Sequence, residues 1–369
     1  MKIFHIVENL DKGAVENWLV SSFLESRKFN PELEWTFFCF LPLPGALDQA
    51  VIDNGGKIIY SKYKISDKLL FIKNLRKILK EGKFDVFHSH HDYMSGFYVL
   101  ATIGIAFRSK ILQIHNNHVD LPMRDSIAKK FLINLFWINT ILFYDQIIGI
   151  ANFTISRYLG WIPFKKKGVL YYGFDLNKYK DIKPFPIKET LKIDNDAIII
   201  LYVGKLDPLK NPIYLLDVLR ILNNPLVYYL LVGEGPEEQK IIQKAIELGL
   251  QNNVKFLGWR NDVYSIMLAS NVFVFPRVEH EKEGFGKVII EAQAAGLPAI
   301  ITTGIPQDAV FLKNLADTLP LQNSEKLWAE RLSVILNSKK PNQLNGLNVL
   351  MNSHFEIKNG TNNLLDLYR

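Results

Sequence analysis

Residues 272–303 read VFVFPRVEHEKEGFGKVIIEAQAAGLPAIITT, and this stretch predicts one repeating unit of a parallel α/β fold. Its two ends, residues 272–276 and 299–303, are short apolar runs typical of buried strands. The alanine-rich segment 287–295 between them has the length and composition of a helix, which Gly296-Leu297-Pro298 ends. A strand, a helix and a second strand in succession are typical of a parallel sheet covered by helices.

The same alternation of strands and helices runs through nearly the whole chain. Helices are predicted at residues 15–27, 67–80 and 236–248, and strands at 2–8, 35–40, 57–60, 85–90, 110–115, 145–151, 197–204, 227–235, 254–259, 272–276 and 299–303. The stretch KYKDIKPFPIKET, residues 178–190, interrupts this rhythm with two prolines and mixed charge, as a linker does. We therefore predict two doubly wound α/β domains in tandem, with ligands outside the carboxyl ends of their strands.

Length and composition predict a folded soluble protein rather than a disordered one. The chain has 369 residues, too many for one ordinary core, and is 48% hydrophobic and 22% charged. Its single cysteine, Cys39, cannot form an internal disulfide, which suits a reducing cytoplasm. The N-terminus is typical of a first strand rather than a signal peptide. The apolar run Phe131–Tyr144 is shorter than the roughly 18 residues of a spanning helix, so we expect a packed helix there.

The positive charge lies in the first half of the chain. Residues 1–180 hold 24 Lys+Arg and 16 Asp+Glu, a net of +8, whereas residues 181–369 hold 20 and 21, a net of −1. The basic residues cluster at 62–83 and at 165–167. This asymmetry points to a polyanionic partner, such as an anionic membrane surface, a phosphorylated substrate or nucleic acid, or to a solvated basic face without one.

Two glutamates flank the glycine turn of the opening stretch. Gly284 and Gly286 lie where a loop enters a helix, so unpaired backbone N–H groups there can bind an anion such as a phosphate. Glu283 precedes this turn and Glu291 lies on the helix, where their carboxylates can accept hydrogen bonds from the hydroxyls of one sugar-containing ligand. The alternative is a helix N-terminal charge and an unrelated surface glutamate.

Four separated segments and the C-terminal segment of the chain resemble one enzyme family. EGFGKVIIEAQAAGLP (283–298) is similar to its signature of two glutamates, VGKLDPLKNP (203–212) to its diphosphate loop and DKGAVENWLV (11–20) to its first glycine loop. DVFHSHHDYMSGFYVL (85–100) with ILQIHNNH (111–118) resembles its histidine-bearing strand ends, and FEIKNGTNNLLDLYR (355–369) its last helix. The chain is thereby identified as a member of the retaining GT-B glycosyltransferases of family 4 (glycosyl transferases group 1), of the capsule, exopolysaccharide and lipopolysaccharide type.

The resemblance implies the α/β GT-B fold, two Rossmann-like doubly wound domains facing across a cleft. Residues 1–180 would form an acceptor-binding domain, completed by a C-terminal helix at about 355–369 that crosses back onto it. Residues 190–354 would form the domain that binds the nucleotide-sugar. The implied reaction is the retaining transfer of a hexosyl group from a nucleotide-sugar, with a UDP-sugar as the favoured donor. The implied acceptor is a glycan or a polyprenyl-linked saccharide, and the implied location is the cytoplasm, at the inner face of the membrane.

The resemblance also assigns roles to residues. Lys205 and Lys210 would stabilise the diphosphate as it leaves, without a metal or other cofactor, and Lys205 stands where an arginine is common. Glu283 would contact the hydroxyls of the donor sugar without acting as a nucleophile, Glu291 would contact the ribose, and His115 would hydrogen-bond near the reacting sugar. The complete set of implied donor-binding residues is Gly13, Gly204, Lys205, Lys210, Glu283, Gly284, Phe285, Gly286, Lys287, Val288 and Glu291.

Other functions compete with this interpretation. Nonhydrolysing nucleotide-sugar epimerases share the two-domain architecture but lack the segment with two glutamates, and a noncatalytic nucleotide-binding scaffold is a further alternative. The stretch HSHHD, His88 to Asp92, could contribute metal ligands with His115, although the family uses this strand end for substrate. A nucleic-acid partner is not expected, because the basic half carries no recognised motif for one.

Overall fold

The computed structural model describes residues 1–11, 13–115, 127–160, 163–164, 166–322, 324–338 and 343–369. Lys12, residues 116–118 and Lys165, which the sequence analysis included in its motifs, therefore lie outside the described residues. The chain packs as two compact units, one formed by Met1–Asp175 together with Ser353–Arg369, and one formed by Leu176–Asn352.

The first unit contains a seven-stranded sheet in which every adjacent pair of strands is parallel, in the order β3-β2-β1-β4-β5-β6-β7. The change of direction between β1 and β4 is the topological switch of a doubly wound fold. The strands are β1 (Lys2–Val7), β2 (Glu34–Cys39), β3 (Lys57–Tyr60), β4 (Val86–Ser89), β5 (Ser109–Ile114), β6 (Gln146–Gly149) and β7 (Lys167–Val169).

Helices cover both faces of this sheet. On one face Phe4, Phe87 and Leu112 are fully buried in an apolar cluster that includes side chains of four helices, α3 (Lys68–Gly82), α4 (Ser95–Thr102), α5 (Ile127–Phe143) and α6 (Asn152–Leu159). α3 buries Phe71, Leu75 and Leu79, a four-residue spacing that aligns them on one side of the helix. The helices of this unit are α1 (Ala14–Phe29), α2 (Asp48–Asp53), α3 (Lys68–Gly82), α4 (Ser95–Thr102), α5 (Ile127–Phe143), α6 (Asn152–Leu159) and, at the C-terminus, α14 (Ile357–Asp366).

The C-terminal helix returns to the first unit. Phe174 N donates to Phe355 O at 2.7 Å and Ile357 N donates to Phe174 O at 2.9 Å, which joins the strand-like segment before α14 to the end of the main part of the unit. α14 then packs against α1 and brings Tyr368 to full burial. The last residues of the chain are therefore part of the core of the first unit.

The second unit repeats the architecture with six strands in the order β10-β9-β8-β11-β12-β13, again all parallel. Its strands are β8 (Ile198–Val203), β9 (Val227–Val232), β10 (Val254–Gly258), β11 (Val272–Phe275), β12 (Ala299–Ile301) and β13 (Ala316–Thr318). Its helices are α7 (Ile187–Leu191), α8 (Tyr214–Leu222), α9 (Glu238–Glu247), α10 (Val263–Ala269), α11 (Lys287–Ala294), α12 (Glu325–Asn337) and α13 (Gln343–Met351).

The predicted α/β fold with two parallel sheets is confirmed, and the strands that were predicted all form within a few residues of their expected bounds. The sequence analysis missed β7 and β13, which are three residues long and lie at sheet edges. The stretch 178–190 packs on the second unit, where Phe185 N donates to Ser265 O at 2.9 Å. No helix among the described residues is long and apolar enough to cross a bilayer.

We predict that Gly96→Ala destabilises the first unit. A Cβ atom at Gly96, on α4, would lie 1.8 Å from the carbonyl oxygen of Phe136 on α5, so the two helices would have to separate. The expected loss in the free energy of unfolding is about 1–3 kcal/mol, measured by urea denaturation. The matched control is Gly168→Ala, whose nearest contact would be Ile148 Cδ1 at 3.8 Å. Equal stabilities of the two variants would contradict this packing of α4 on α5.

Candidate functional site

The carboxyl ends of β8, β11 and β12 bring the predicted residues of the second unit together. The loop after β8 begins at Gly204, whose positive φ of 156° is rarely adopted by residues with a side chain, and the hydroxyl of Tyr202 donates to the carbonyl oxygen of Lys205 at 2.8 Å. Leu209 O accepts from Val278 N at 2.9 Å, which ties this loop to the one after β11. Both loops therefore lie at the sheet edge where α/β proteins bind ligands.

Two lysines project from the loop after β8. The side chain of Lys205 is exposed, and that of Lys210 is half-buried with its ammonium group 5.5 Å from the centre of the Phe275 ring. The backbone N–H of Lys210 donates to Asp207 Oδ1 at 2.9 Å, which fixes the turn before it. The turn thus holds two cations near one strand end, as binding of a diphosphate requires.

A glycine outside the predicted set makes this loop possible. Gly233, at the end of the neighbouring strand β9, has a φ of 129°, and a Cβ atom there would lie 2.0 Å from the carbonyl oxygen of Gly204. Only glycine allows the two strand ends to approach so closely. The pattern Val-Gly occurs at the end of both β8 and β9, and this repetition was a signal in the sequence that could have identified Gly233.

The predicted glycine turn lies at the N-terminus of α11. Gly286 is the residue before the helix and has a left-handed φ of 92°, which favours glycine. Phe285 is buried with 3% of its surface exposed and anchors the turn, while Gly284 and Val288 are half-buried and Lys287 is exposed. The first backbone N–H groups of a helix have no partner within it, so this turn can bind an anion.

An arginine that the sequence analysis missed holds Glu283. Arg277 has 6% of its surface exposed, and its Nη1 lies 2.9 Å from Glu283 Oε2. Its Nε donates to Glu281 O at 2.8 Å and its Nη2 to Lys282 O at 3.3 Å, while Glu283 N donates to Gly304 O at 2.8 Å. The loop between β11 and α11 is thereby wrapped around one buried guanidinium group.

Glu291 is held by a tyrosine from the start of the second unit. The hydroxyl of Tyr179 donates to Glu291 Oε1 at 3.0 Å, and the ammonium group of Lys287 lies 3.5 Å from the same oxygen. The ring of Tyr179 stacks on that of Tyr264 with 3.9 Å between ring centres. Because 112 residues separate Tyr179 from Glu291, no local pattern predicted this contact.

The other two predicted site residues, Gly13 and His115, lie in the first unit. Gly13 precedes α1 with an extended backbone, and a Cβ atom there would lie 2.0 Å from Glu16 Oε2. The His115 ring, with 4% of its surface exposed, follows β5 and has a partner at each nitrogen: Nε2 lies 2.9 Å from His90 Nδ1, and Nδ1 lies 2.6 Å from the Tyr172 hydroxyl. The predicted hydrogen bond from His115 to a sugar did not take these two partners into account.

His115 is one end of a chain of buried imidazoles. His5 Nδ1 lies 3.0 Å from His90 Nε2, which continues through His90 to His115 and Tyr172. A neutral imidazole donates from one nitrogen and accepts at the other, so the chain runs in one direction. His5 Nε2 has no partner among the described residues, and an N–H there would be a buried unpaired donor. We therefore assign the donors as the Nδ1–H groups of all three histidines.

The burial of these rings keeps them neutral. Desolvation lowers the pKa of His5 to about 3 and that of His115 to about 3, and it lowers the pKa of His90 well below its usual value. His88, fully buried beside them, has its Nδ1 2.9 Å from the Tyr368 hydroxyl, and its pKa is lowered well below the usual value by the same cause.

Three of these imidazoles could meet at one metal ion. His5, His88 and His90 each place a ring nitrogen so that the three atoms lie within 4.8 Å of one another. His5 Nδ1 and His90 Nε2 already share a hydrogen bond, and the group contains no carboxylate to offset the charge of a buried divalent ion. The chemistry of this group therefore suits a neutral hydrogen-bonded network better than a metal site.

The chain is similar to a known protein family and to several named proteins. Residues 185–345 match the family described as Glycosyl transferases group 1. EpsF of Bacillus subtilis is 25% identical over 376 residues that cover 100% of this chain and 96% of that protein. The capsular polysaccharide biosynthesis glycosyltransferase CapH of Staphylococcus aureus is 26% identical over 381 residues, covering 100% of this chain and 98% of CapH.

A shorter match and a solved structure complete the comparison. An Escherichia coli protein named UDP-Gal:alpha-D-GlcNAc-diphosphoundecaprenol alpha-1,3-galactosyltransferase is 27% identical over 240 residues, 62% of this chain and 60% of that protein. The crystal structure of Anabaena Alr3699/HepE in complex with UDP has a TM-score of 0.80 to this chain at 18% identity, covering 99% of each chain. This likeness shows that the two proteins share one fold.

We predict that Arg277→Lys destabilises the second unit. Lysine keeps the charge beside Glu283 but cannot make the hydrogen bonds of the guanidinium group to Glu281 O and Lys282 O. The free energy of unfolding in urea should fall by about 1–3 kcal/mol. In the control, Arg331→Lys, the pair with Asp317 is half-exposed and the loss should stay below about 1 kcal/mol. A smaller loss at Arg277 than at Arg331 would contradict the structural role of Arg277.

We predict that the first unit loses stability as the pH falls below about 6.5, where histidines of the unfolded chain become protonated. The folded pKa values of His5 and His115 are lowered to about 3. Between about pH 6.5 and about pH 3 the unfolded state therefore binds more protons than the folded state, and the full stability is present only above about pH 6.5. His5→Phe should reduce the slope of unfolding free energy against pH by the amount that corresponds to the uptake of about one proton on unfolding. An unchanged slope in the His5→Phe variant would contradict the neutral His5.

Proposed function

We propose that this chain transfers a hexose from a UDP-sugar with retention of configuration. The chain is a glycosyltransferase of polysaccharide biosynthesis with the GT-B fold and a glycosyl transferases group 1 domain. The observation that carries this proposal is the arrangement at the carboxyl edge of the second sheet. There, two lysines and Glu283 lie on loops that contact each other, and helix α11, which follows the second loop, contributes its N-terminus and Glu291. The positive groups are complementary to the diphosphate of a nucleotide-sugar, and the carboxylates are complementary to its ribose and sugar hydroxyls.

The lysines are the proposed source of catalysis. The diphosphate of a nucleotide-sugar gains negative charge as its bond to the sugar breaks, and a group that binds this charge lowers the barrier. Lys205 and Lys210 supply two positive charges beside the strand end, and the N-terminus of α11 adds its dipole. We propose that this charge takes the place of a divalent metal, so that the reaction needs none.

The glutamates are proposed to orient the rest of the donor. Glu291, whose Oε1 already accepts from Tyr179, would accept from the ribose hydroxyls. Glu283 would accept from the hydroxyls of the donor sugar while Arg277 holds its Oε2 and keeps the side chain in one orientation. With Glu283 engaged in this way, the proposed retaining step uses no covalent enzyme intermediate, and the leaving phosphate takes the proton of the acceptor hydroxyl.

The proposed contributions of the first unit are Gly13, near the donor phosphates, and His115, near the reacting sugar. The geometry of His115 sets a condition on this role. Both of its ring nitrogens are hydrogen-bonded, so one of them must exchange His90 or Tyr172 for a sugar hydroxyl. Because its burial lowers the pKa of His115 to about 3, the ring would act as a neutral hydrogen-bonding group rather than a cation.

The proposed acceptor is a glycan or a saccharide linked to a polyprenyl diphosphate. One relative is named for a diphosphoundecaprenol substrate, and another for capsular polysaccharide biosynthesis. Such an acceptor is held in a membrane, so we propose that the protein works in the cytoplasm against the anionic inner face of the cell membrane. The excess of positive charge in residues 1–180 supports this location.

We predict that UDP alone, in a panel of UDP, GDP, ADP, CMP and TDP, raises the midpoint of thermal unfolding, and that EDTA leaves the shift unchanged. Lys205→Ala and Lys210→Ala should each weaken UDP binding about tenfold or more in calorimetric titration, because each removes a charge-assisted contact. Glu291→Ala should weaken it through the ribose.

Lys326→Ala removes an exposed lysine of α12 and is the matched control for UDP binding. A shift by GDP or ADP in place of UDP would reject the proposed nucleotide, and a shift abolished by EDTA would reject the proposed metal independence. Binding of UDP without turnover of any UDP-sugar would favour a scaffold, and interconversion of UDP-sugars would favour an epimerase.

A further inference from the structure

Helix α5 presents three different faces along its length. One face packs on the core of the first unit through Phe136 and the fully buried Thr140. A second face lines a pocket, and a third is exposed although it is apolar. A helix at the surface of a globular unit ordinarily exposes polar residues, so the third face needs an explanation.

The exposed apolar face is a regular stripe, which we call the α5 stripe. Its residues are spaced by four, four, three and four positions and therefore project from one side of the helix. They are Ile127, Phe131, Leu135, Ile138 and Leu142, with 88%, 68%, 40%, 45% and 68% of their surfaces exposed. From the first to the last residue the stripe extends for about 22 Å, a length that isolated surface hydrophobics do not produce.

The pocket lies beside the α5 stripe, about a third of a turn around the same helix. Its volume is about 430 Å³, within the usual range for small-molecule sites. It is lined by Tyr93, Lys130, Ile133, Asn134, Trp137 and Tyr158. Three aromatic rings, one amide and one ammonium group are the kinds of side chain that bind a sugar ring carrying a phosphate.

The aromatic wall of the pocket is built firmly. The rings of Tyr93 and Tyr158 lie 5.0 Å apart between centres, Trp137 Nε1 donates to Tyr158 O at 2.9 Å, and the Tyr158 hydroxyl lies 2.9 Å from Thr140 Oγ1. These bonds tie α5 to α6 and fix the two rings before any ligand arrives. A preformed wall of this kind lowers the entropic cost of binding.

The pocket also lies at the ligand-binding edge of the first sheet. Tyr93 belongs to the short helical turn Asp92–Met94, which follows β4, and the neighbouring Asp92 accepts from His115 N at 3.3 Å. His115 directly follows β5, and Tyr93 lies four residues after the last residue of β4, so the pocket begins near the carboxyl ends of two central strands. This is the edge at which α/β proteins bind substrates.

The charge of this layer of helices is strongly positive. α3 carries Lys68, Lys73, Arg76, Lys77 and Lys80 against a single acidic residue, Glu81. α4, which packs between α3 and α5, is uncharged, and α5 adds the exposed Lys130. A positive, apolar surface is complementary to a bilayer that contains anionic lipid, and a second copy of this chain would bring like charge against it.

From these observations we infer that the first unit binds a membrane-held acceptor along α5. The saccharide and phosphate head of the acceptor occupies the pocket, with its sugar ring against Tyr93 and Trp137 and its phosphate near Lys130. The α5 stripe rests in the anionic bilayer from which the lipid part of the acceptor extends. This inference rests on the proposed transfer to a lipid-linked acceptor and locates the site of that acceptor.

The membrane part of the inference is tested by sedimentation with vesicles of phosphatidylcholine, with and without phosphatidylglycerol. The wild type should bind only the vesicles that contain phosphatidylglycerol, and less at high salt. Combined Phe131→Asn and Leu142→Asn should lower partitioning about tenfold or more, because both side chains lose their apolar burial. Both residues are largely exposed, so the thermal midpoint should stay unchanged.

The matched control replaces exposed apolar residues of the second unit, Ile246→Asn with Val334→Asn, and should bind vesicles as the wild type does. Equal binding by the α5 variant and the wild type would overturn the inference. So would a wild-type dimer that the α5 variant converts to a monomer without any change in vesicle binding, because the α5 stripe would then be an interface between copies.

The pocket part is tested by saturation-transfer NMR with N-acetylglucosamine 1-phosphate as the probe. The wild type and the α5 stripe variant should both show transfer from the protein to the sugar ring, and Lys130→Gln should weaken binding about tenfold. Lys73→Gln, on α3, is the control for a general loss of charge. Absence of transfer in the wild type, or equal displacement of the probe by inorganic phosphate alone, would overturn a saccharide site.

UDP titration of the same preparations separates this inference from the proposed donor site. Apart from Gly13, the residues that bind UDP in the proposal lie on the second unit, and the Lys130 and α5 stripe variants leave both Gly13 and the second unit unaltered. Unchanged UDP binding with loss of the probe or of vesicle binding supports the acceptor site. If the wild type does not bind UDP, the donor proposal is rejected. The probe and vesicle results would still decide whether the acceptor site exists.

Discussion

The structure depends on one constraint, which is that every backbone group of a buried parallel strand must be paired with a neighbouring strand. Parallel strands meet this requirement only when a helix returns the chain to the same end of the sheet, and helices then cover both faces. All loops at the carboxyl edge consequently converge. In the second unit, convergence brings the loop after β8 against the loop after β11, where Leu209 O accepts from Val278 N. The loops that carry Lys205 and Glu283 are neighbours for this reason, although nearly 80 residues separate these two residues in the chain.

The two units solve the problem of buried polar groups in different ways. In the second unit a charged group, Arg277, is buried and is offset by Glu283 and by backbone carbonyl oxygens, so the loop that carries Glu283 has one well-defined conformation. In the first unit the polar groups are imidazoles that burial keeps neutral, and they satisfy one another in a chain that ends at Tyr172. A neutral network avoids the desolvation penalty of a buried charge. It also connects the orientation of His115 to His5, deep in the first strand, so a change at one ring affects its neighbours.

Helix α5 shows how one element can serve the core and the surface at once. Its sequence is apolar on nearly all sides, and apolar composition alone is compatible with a packed helix or with a membrane anchor. Packing against α4, where Gly96 allows close approach to Phe136, uses one face and leaves the α5 stripe uncovered. The same contact with α6 that orients Trp137 forms the wall of the pocket. The pocket and the exposed apolar surface therefore lie side by side because both are faces of one helix.

The sequence by itself determined the parallel α/β architecture, the positions of the long strands and the enzyme class, because buried strands, glycine turns and the glutamate signature are local patterns. It could not predict β7 and β13, since three-residue edge strands carry no apolar run of their own and form only when a sheet is there to pair with them. Nor could it supply the partners of the candidate residues. Tyr179 reaches Glu291 across 112 positions and Tyr368 reaches His88 across 280, and such contacts exist only after the sheet has formed. The tertiary structure decided these contacts, because hydrogen-bond partners in a buried site are selected by distance in space and not by position along the chain.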